Sequence, residues 1–257
     1  MALRPTAAEL IRSSRRLLVA HRGDSRAAPE NTLPAFLSAA RVGVDFVELD
    51  YLHSVDGVPV VFHDETLDRT TNASQVWGTE KIPFASKTLH ELRQLDAGSW
   101  FGPKFTGTPI STLGEVLAAI APTACVMIER KAGDAATCWR TIQDAGTVDR
   151  VTVHAFDWSF LADLRRLAPN LPLGALGSKQ LTDDAIHRAR NLGATIVNWE
   201  AASLDADRIA AIHRAGLKSW TWTVDDPAEA RRLLTAGLNA LTTNVPALMQ
   251  PLFAAHP

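Results

Sequence analysis

Cysteine is scarce in this chain of 257 residues: there are two, Cys125 and Cys138, and neither has CxxC or Cys/His spacing around it. The sequence therefore offers no thiolate metal motif and no disulfide framework. Cys125 opens an apolar run (Cys-Val-Met-Ile) and is expected to be a buried free thiol. Long hydrophobic runs are also missing. No stretch approaches the ~18 apolar residues of a membrane span. Residues 1–21 lack the apolar h-region and small-residue cleavage site of a signal peptide. A cytoplasmic protein without stable membrane insertion is the expectation. Neither charge is in excess, with 26 basic against 28 acidic residues and a net charge of −2. No basic run or stripe is available for a nucleic-acid backbone, so no nucleic-acid partner is expected. Apolar material is plentiful by contrast, at 46% of residues, enough for one sizeable core.

Short extended runs alternate with amphipathic helical patterns along most of the chain. The runs fall at 17–21, 44–51, 58–63, 125–130, 151–156, 173–176, 194–199, 218–224 and 240–243. Helices are expected at 157–167, 182–191, 205–215 and 226–236, stopped by Pro169 or by Gly193, Gly216 and Gly237. Another carries Pro34 in its first turn, with Thr32 placed to cap it and Gly43 to end it. Such alternation with short links implies parallel strands and βαβ units. The fold class is α/β, a TIM-type (β/α)8 barrel of about 250 residues in a single domain. Nine runs are one too many for it. Asp56-Gly57, a strong hairpin signal, marks run 58–63 as an antiparallel return arm outside the barrel. Residues 65 to about 112 break the rhythm and read as a small inserted lobe. Its aromatics, Trp77, Phe84, Trp100, Phe101 and Phe105, are expected to form a satellite core rather than to line a cleft.

The chemistry sits where strands end. In the run 44–51, Glu48 and Asp50 project from the same face, because side chains alternate along a strand. Two carboxylates on one face of an otherwise apolar strand are costly unless a cation neutralises them, and hard divalent ions take oxygen ligands. If Asp56 and Gly57 alone form the hairpin loop, Val55 pairs with Val58, and counting back sets Asp50 opposite His63. His63 would then stand against the proposed metal. The first run ends in His21 and Arg22, an imidazole able to move protons beside a planar fork able to hold an anionic oxygen. Glu129 and Lys131 share a face, which fits a metal ligand beside a phosphate contact and equally fits an ordinary ion pair. Trp220 and Trp222 share another, as core or as a platform for ligand.

These segments together resemble the glycerophosphodiester phosphodiesterase family. The pieces are His21-Arg22-Gly23, Pro29-Glu30-Asn31-Thr32, Glu48-Leu49-Asp50, Asp56-Gly57 through His63-Asp64 and Leu67-Asp68-Arg69-Thr70-Thr71. Leu95-Asp96-Ala97-Gly98-Ser99-Trp100, Glu129-Arg130-Lys131 and Trp222-Thr223-Val224 complete them in the family's order. The resemblance implies hydrolysis of a small glycerophosphodiester to glycerol 3-phosphate and an alcohol. It implies His21 and His63 as the acid/base pair, and Glu48, Asp50 and Glu129 as ligands of one divalent cation, Mg²⁺ or Ca²⁺. Arg22 and Lys131 would contact phosphate, and Trp222 would wall the pocket. A phospholipase D-like or C-like enzyme on a related barrel, or a non-catalytic phosphate-binding protein, are the rival readings. Three positions depart from the family pattern: Asn244 where Asp is usual, Ala155 in place of a serine, and Ser111 in place of a proline. All three are expected to lie away from the catalytic set.

Overall fold

In the computed structural model, which describes residues 4–254, the alternation closes into a barrel. The strands are β1 (Leu17–Ala20), β2 (Phe46–His53), β3 (Pro59–Val61), β4 (Cys125–Arg130), β5 (Val151–Ala155), β6 (Leu173–Gly177), β7 (Ile196–Glu200), β8 (Lys218–Trp222) and β9 (Ala240–Thr243). All but β3 pair in parallel around the ring, from β1 through β2, β4, β5, β6, β7 and β8 to β9. Val19 against Phe46 and Val19 against Thr242 close the seam. This is the expected TIM-type (β/α)8 barrel. Helices Trp158–Leu167, Asp183–Asn191, Ala206–Arg214 and Pro227–Thr235 begin where their caps stand, at Asp157, Thr182, Asp205 and Asp226. Each cap side chain accepts a backbone N–H that the first helical turn leaves unpaired. Thr32 differs. It occupies the cap position of helix Leu33–Val42, but its hydroxyl donates to the Pro29 carbonyl at 2.5 Å and caps nothing. No helix among the described residues is long and apolar enough to cross a membrane.

β3 is the antiparallel return arm, but in a register one residue from the expected one. Tyr51 faces Val61, Leu52 faces Val60 and His53 faces Pro59. Ser54 N–H then bonds to Val58 O at 3.0 Å, and Gly57 lies at φ 79°. The loop is thus three residues long, Val55-Asp56-Gly57, ending in a left-handed glycine. Asp50 consequently aligns with Phe62, whose N–H reaches the Asp50 carbonyl at 3.1 Å. A one-residue slip turns every side chain to the other face. Phe62 is therefore buried in the lobe cluster with Leu52 and Val60, and His63 must reach the site from beyond the strand.

The barrel's lower interior is apolar. Helix Ala7–Arg12, not singled out from the sequence, buries Ala7, Leu10 and Ile11 against Leu17, Phe46, Cys125, Ile196, Trp220 and Ala240. Above that floor His154 is wholly buried. Its ring nitrogens meet Thr152 Oγ1 and the Asn198 side chain, each at 3.1 Å. Burial holds this imidazole down at about 3, so it is neutral. Gly174 on β6 lies flat against the ring; a Cβ there would stand 2.3 Å from two of its atoms. Gly174→Ala is expected to cost about 3 kcal/mol in equilibrium unfolding, because an over-packed, hydrogen-bonded core ring has nowhere to move. Cys125 and Cys138 are both free and buried.

The segment 65–112 contains a second buried cluster. Leu67, Ala73, Ile82, Phe84, Leu92, Leu95, Ala97 and Ile110 pack on Leu52, Val60 and Phe62, with Trp77 alongside. Two of its aromatics therefore do form a satellite core. Trp100, Phe101 and Phe105 do not. They make a separate edge-to-face row with centroids 5.5 Å apart, and Trp100 is exposed.

Candidate active site

The barrel's C-terminal mouth collects the predicted residues from four strand ends. Glu48 and Asp50 are on β2 and Glu129 is on β4, with Asp50 and Glu129 side by side in the ladder. One carboxylate oxygen from each of the three lies within 4.8 Å of those of the other two. Glu48 and Asp50 are each 1% exposed. Burial, then the charges of Asp50 and Glu129, push the Glu48 carboxyl well above the usual range. Burial and Asp50 likewise raise Glu129 to about 7, against the pull of Lys131. Glu48 and Glu129, crowded in this way, strain to stay ionised unless positive charge joins them. Glu48 Oε2 accepts the Arg22 N–H at 2.6 Å, whereas its buried Oε1 has no protein partner. Hard oxygen donors converging around an unpartnered carboxylate oxygen fit a divalent cation such as Mg²⁺ or Ca²⁺.

Just past β1 the backbone turns left-handed at Arg22 (φ 54°) and Gly23 (φ 84°). Gly23 has to be glycine twice over, since a Cβ would also stand 2.6 Å from the Ala35 carbonyl carbon of helix Leu33–Val42. The turn aims the Arg22 N–H at Glu48 and its guanidinium across the mouth. Arg22 Nη1 donates to Glu30 Oε1 at 2.7 Å. Its Nε stands 3.2 Å from Asp50 Oδ2 but off the hydrogen-bond axis, so that contact is charge attraction only. Asn31, also left-handed at φ 56°, accepts the Asp50 N–H at 3.1 Å and donates to Asp50 Oδ2 at 2.9 Å. One amide thus ties down both the backbone and one carboxylate oxygen of Asp50.

His63 comes in beyond β3, held from behind. Its Nδ1–H donates to Asp64 Oδ1 at 2.6 Å, and its Nε2 faces Lys131 Nζ at 3.3 Å. Lys131 also donates to Glu129 Oε1 at 2.9 Å. Arg69 grips Asp64 through Nε (2.6 Å) and Nη2 (2.9 Å), and Glu30 through Nη1 (2.9 Å) and Nη2 (2.7 Å). Burial raises the Asp64 and Glu30 carboxyls, but the arginine bonds outweigh it and hold both at about 2. Both stay ionised, and the chain His63–Asp64–Arg69–Glu30–Arg22 forms one polar frame. His21 sits opposite in character. Burial, then the Arg22 charge, lowers its pKa, and its Nδ1 meets Asn244 Oδ1 at 2.7 Å. Asn244, expected to lie away from the catalytic set, is thus in direct contact with it. Barrel closure sets β9 against β1, which spacing along the chain does not reveal.

Trp222, at the end of β8, is half-buried at the rim, whereas Trp220 lies in the floor. Phe156, one residue beyond β5 and 45% exposed, meets Trp222 edge-on at 5.7 Å between centroids. Lys131 Nζ is 6.0 Å from the same ring. The signal for Phe156 in the sequence is an aromatic at a barrel strand's C-terminal end. Glu30, Asn31, Asp64 and Arg69 stood in the recognised segments, yet their bracing roles needed three-dimensional contact. Arg130, alternating outward from Glu129, pairs instead with Asp157 at 3.0 Å.

A barrel whose mouth gathers two buried carboxylates and a half-buried third, two imidazoles and two cationic side chains belongs with enzymes that handle phosphoric esters. Residues 21–248 match the model of the glycerophosphoryl diester phosphodiesterase family. The chain belongs to that family. It is 35% identical to a glycerophosphodiester phosphodiesterase of Caldanaerobacter subterraneus subsp. tengcongensis, covering 90% of this chain and 94% of the relative. A glycerophosphodiester phosphodiesterase of Bacillus subtilis is 31% identical over 93% of this chain and 87% of its own length. Among solved structures, an Oleispira antarctica phosphodiesterase in complex with the product sn-glycerol-3-phosphate superposes with a TM-score of 0.85. It is 28% identical, covering 94% of this chain and 98% of that one.

Proposed function

We propose that this enzyme hydrolyses glycerophosphodiesters to glycerol 3-phosphate and an alcohol with the help of one divalent cation. The observation that carries the reading is the meeting of Glu48, Asp50 and Glu129 with His21 and His63 at one barrel mouth. Family membership supports the substrate class, and the product bound to the Oleispira antarctica relative supports the glycerol phosphate end. Glu48, Asp50 and Glu129 would hold the cation, Mg²⁺ or Ca²⁺, which supplies positive charge to the phosphoryl oxygens. Arg22 and Lys131 add fixed charge on either side of the same phosphate. One histidine removes the proton from the attacking oxygen, and the other protonates the leaving alkoxide. The attacking oxygen is that of water, or of the neighbouring glycerol hydroxyl through a cyclic phosphate that water then opens. With Nδ1–H given to Asp64, His63 presents Nε2 to the mouth for that exchange. Trp222 and Phe156 form an apolar wall that keeps water from one flank of the substrate. Two buried, unpaired thiols suit a reducing compartment, so the site of action is proposed to be the cytoplasm.

The test is turnover of glycerophosphocholine, glycerophosphoethanolamine and an intact phospholipid, each in chelator and again with Mg²⁺ or Ca²⁺ restored. Glycerol 3-phosphate should form from the water-soluble diesters, vanish in chelator and return with metal. Release of phosphocholine, preference for the intact lipid, or undiminished turnover in chelator would each overturn the proposal.

A further inference from the structure

Behind His21 lies a second, smaller set of polar groups. Asn244 Oδ1 accepts from His21 Nδ1 at 2.7 Å and from Ser25 Oγ at 3.0 Å. The other end of that amide is engaged as well: Asn244 Nδ2 donates to Asp225 Oδ2 at 2.8 Å. Asp225 stands beyond β8 and takes two further bonds on Oδ1, from Asn244 N–H at 2.8 Å and Thr243 Oγ1 at 2.9 Å. Its carboxyl is raised by partial burial, but these bonds from Asn244 and Thr243 outweigh burial and hold it low, so it is ionised and can only accept.

Donor and acceptor logic then runs in one direction. An ionised carboxylate facing the Asn244 amide accepts only its NH₂ end, so Oδ1 must point at His21. An amide oxygen is only an acceptor, so the proton of a neutral His21 must sit on Nδ1. Its Nε2 is left with a bare lone pair. We infer that Asp225 is a positioning residue for catalysis: through Asn244 it locks His21 in the Nδ1–H tautomer and so directs Nε2 toward the substrate. Asparagine at 244 follows from the same geometry. An aspartate there would set one carboxylate against another, whereas the amide joins an anion to an imidazole. His63 likewise keeps a proton on Nδ1, toward the carboxylate of Asp64, which leaves its Nε2 free to carry the proton that the leaving alkoxide takes. His21 keeps its Nδ1 proton by an amide with an anion one step further back.

The inference rests on His21 acting in proton transfer, and the experiment separates the two claims. Asp225→Asn keeps shape and an acceptor for Thr243 and the Asn244 N–H, but turns an NH₂ toward the Asn244 NH₂. The Asn244 amide should rotate to relieve that clash and offer its own NH₂ to His21. Nitrogen-15 spectra of histidine-labelled, metal-loaded protein, with the His21 signals assigned by their loss in His21→Ala, should show Nδ1–H in the wild type and Nε2–H in the variant. Its kcat should fall by on the order of 10²-fold with KM nearly unchanged, the scale of a lost general acid or base. The reciprocal pair Asn244→Asp with Asp225→Asn restores an acceptor toward His21 and a donor behind it. It should regain Nδ1–H and bring kcat back to within about 10-fold of wild type. An Asp225→Asn variant with His21 still in the Nδ1–H form and wild-type kcat overturns the inference, as does a reciprocal pair no better than the single variant. Should His21→Ala itself turn over normally, the proton-transfer reading of His21 fails, and the spectra still report whether Asp225 sets the tautomer.

Discussion

Alanine at His63 is expected to lower kcat by on the order of 10³-fold while KM shifts little, within the range for removal of a general acid or base. The expectation follows from how the ring is held. His63 lies past the end of β3, where a side chain would ordinarily be loose, yet its Nδ1–H is tied to Asp64 at 2.6 Å. Asp64 accepts two bonds from Arg69, which donates two more to Glu30, and Glu30 accepts from Arg22. The frame leaves Nε2 facing the mouth beside Lys131. A purely structural histidine would have no use for this orientation. Two companions sharpen the test. Asp64→Asn should cost kcat nearly as much, because the amide no longer demands a proton on Nδ1. Arg69→Ala should raise KM as well as lower kcat, since it releases both Glu30 behind Arg22 and Asp64 behind His63. Steady-state kinetics on glycerophosphocholine, with metal saturating, reads all three. A near-normal kcat in His63→Ala would remove this residue from the mechanism.

The second large effect concerns stability and metal together. Burial raises the Glu129 carboxyl to about 7, and raises Glu48 well above its usual range, relative to an unfolded chain in which both titrate near 4.5. A folded-state pKa raised in this way stabilises fully below the unfolded value and is lost as pH rises through the folded value. The shifted histidines act in the opposite sense, but only below their unfolded pKa near 6.5, since His21, His53 and His154 are all lowered. Glu30 and Asp64, held at about 2, matter only under acid conditions. Between pH 6.5 and 8.5 the carboxylate cluster therefore acts alone among these groups. Chelated protein should lose on the order of 1 kcal/mol over that interval through Glu129, with Glu48 acting in the same direction. A bound divalent cation reverses the sign of the local field and should abolish the loss. The gain in Tm from Mg²⁺ or Ca²⁺, measured by scanning calorimetry, should thus be larger at pH 8.5 by about 2 °C or more. Glu129→Gln should shrink the difference. An equal gain at both pH values would argue that the cation binds elsewhere.

The barrel was legible because its evidence is local. Helix caps at Asp157, Thr182, Asp205 and Asp226 and stops at glycine are short-range signals, and the alternation of Glu48 and Asp50 needs no partner to be read. The hairpin marks where local reading stops. Asp56-Gly57 signalled the turn correctly, but a two-residue and a three-residue loop differ in sequence by nothing obvious, and the register moved by one. His63 nevertheless arrives at the mouth, because the chain bends beyond the strand rather than because Asp50 opposes it. Asn244 was unreadable for a different reason. Its partner is 223 positions away, and nothing short of closing the ring brings the two together. The floor helix Ala7–Arg12 was passed over because six residues give too little periodicity to weigh against a loop.

The β1–β9 seam also bears on how the enzyme comes into being. During synthesis His21 emerges 223 residues ahead of Asn244, yet the two must touch at 2.7 Å. Until β9 docks, β1 has a bare edge and His21 has nothing to orient its ring. Contacts between such distant parts of a chain form late, since they carry the largest loop-closure cost. The nascent protein can therefore bring together the carboxylates of β2 and β4 well before it can orient both imidazoles. With His21 in the proposed proton-transfer role, catalytic competence arrives with β9, and activity becomes a report that the ring has closed.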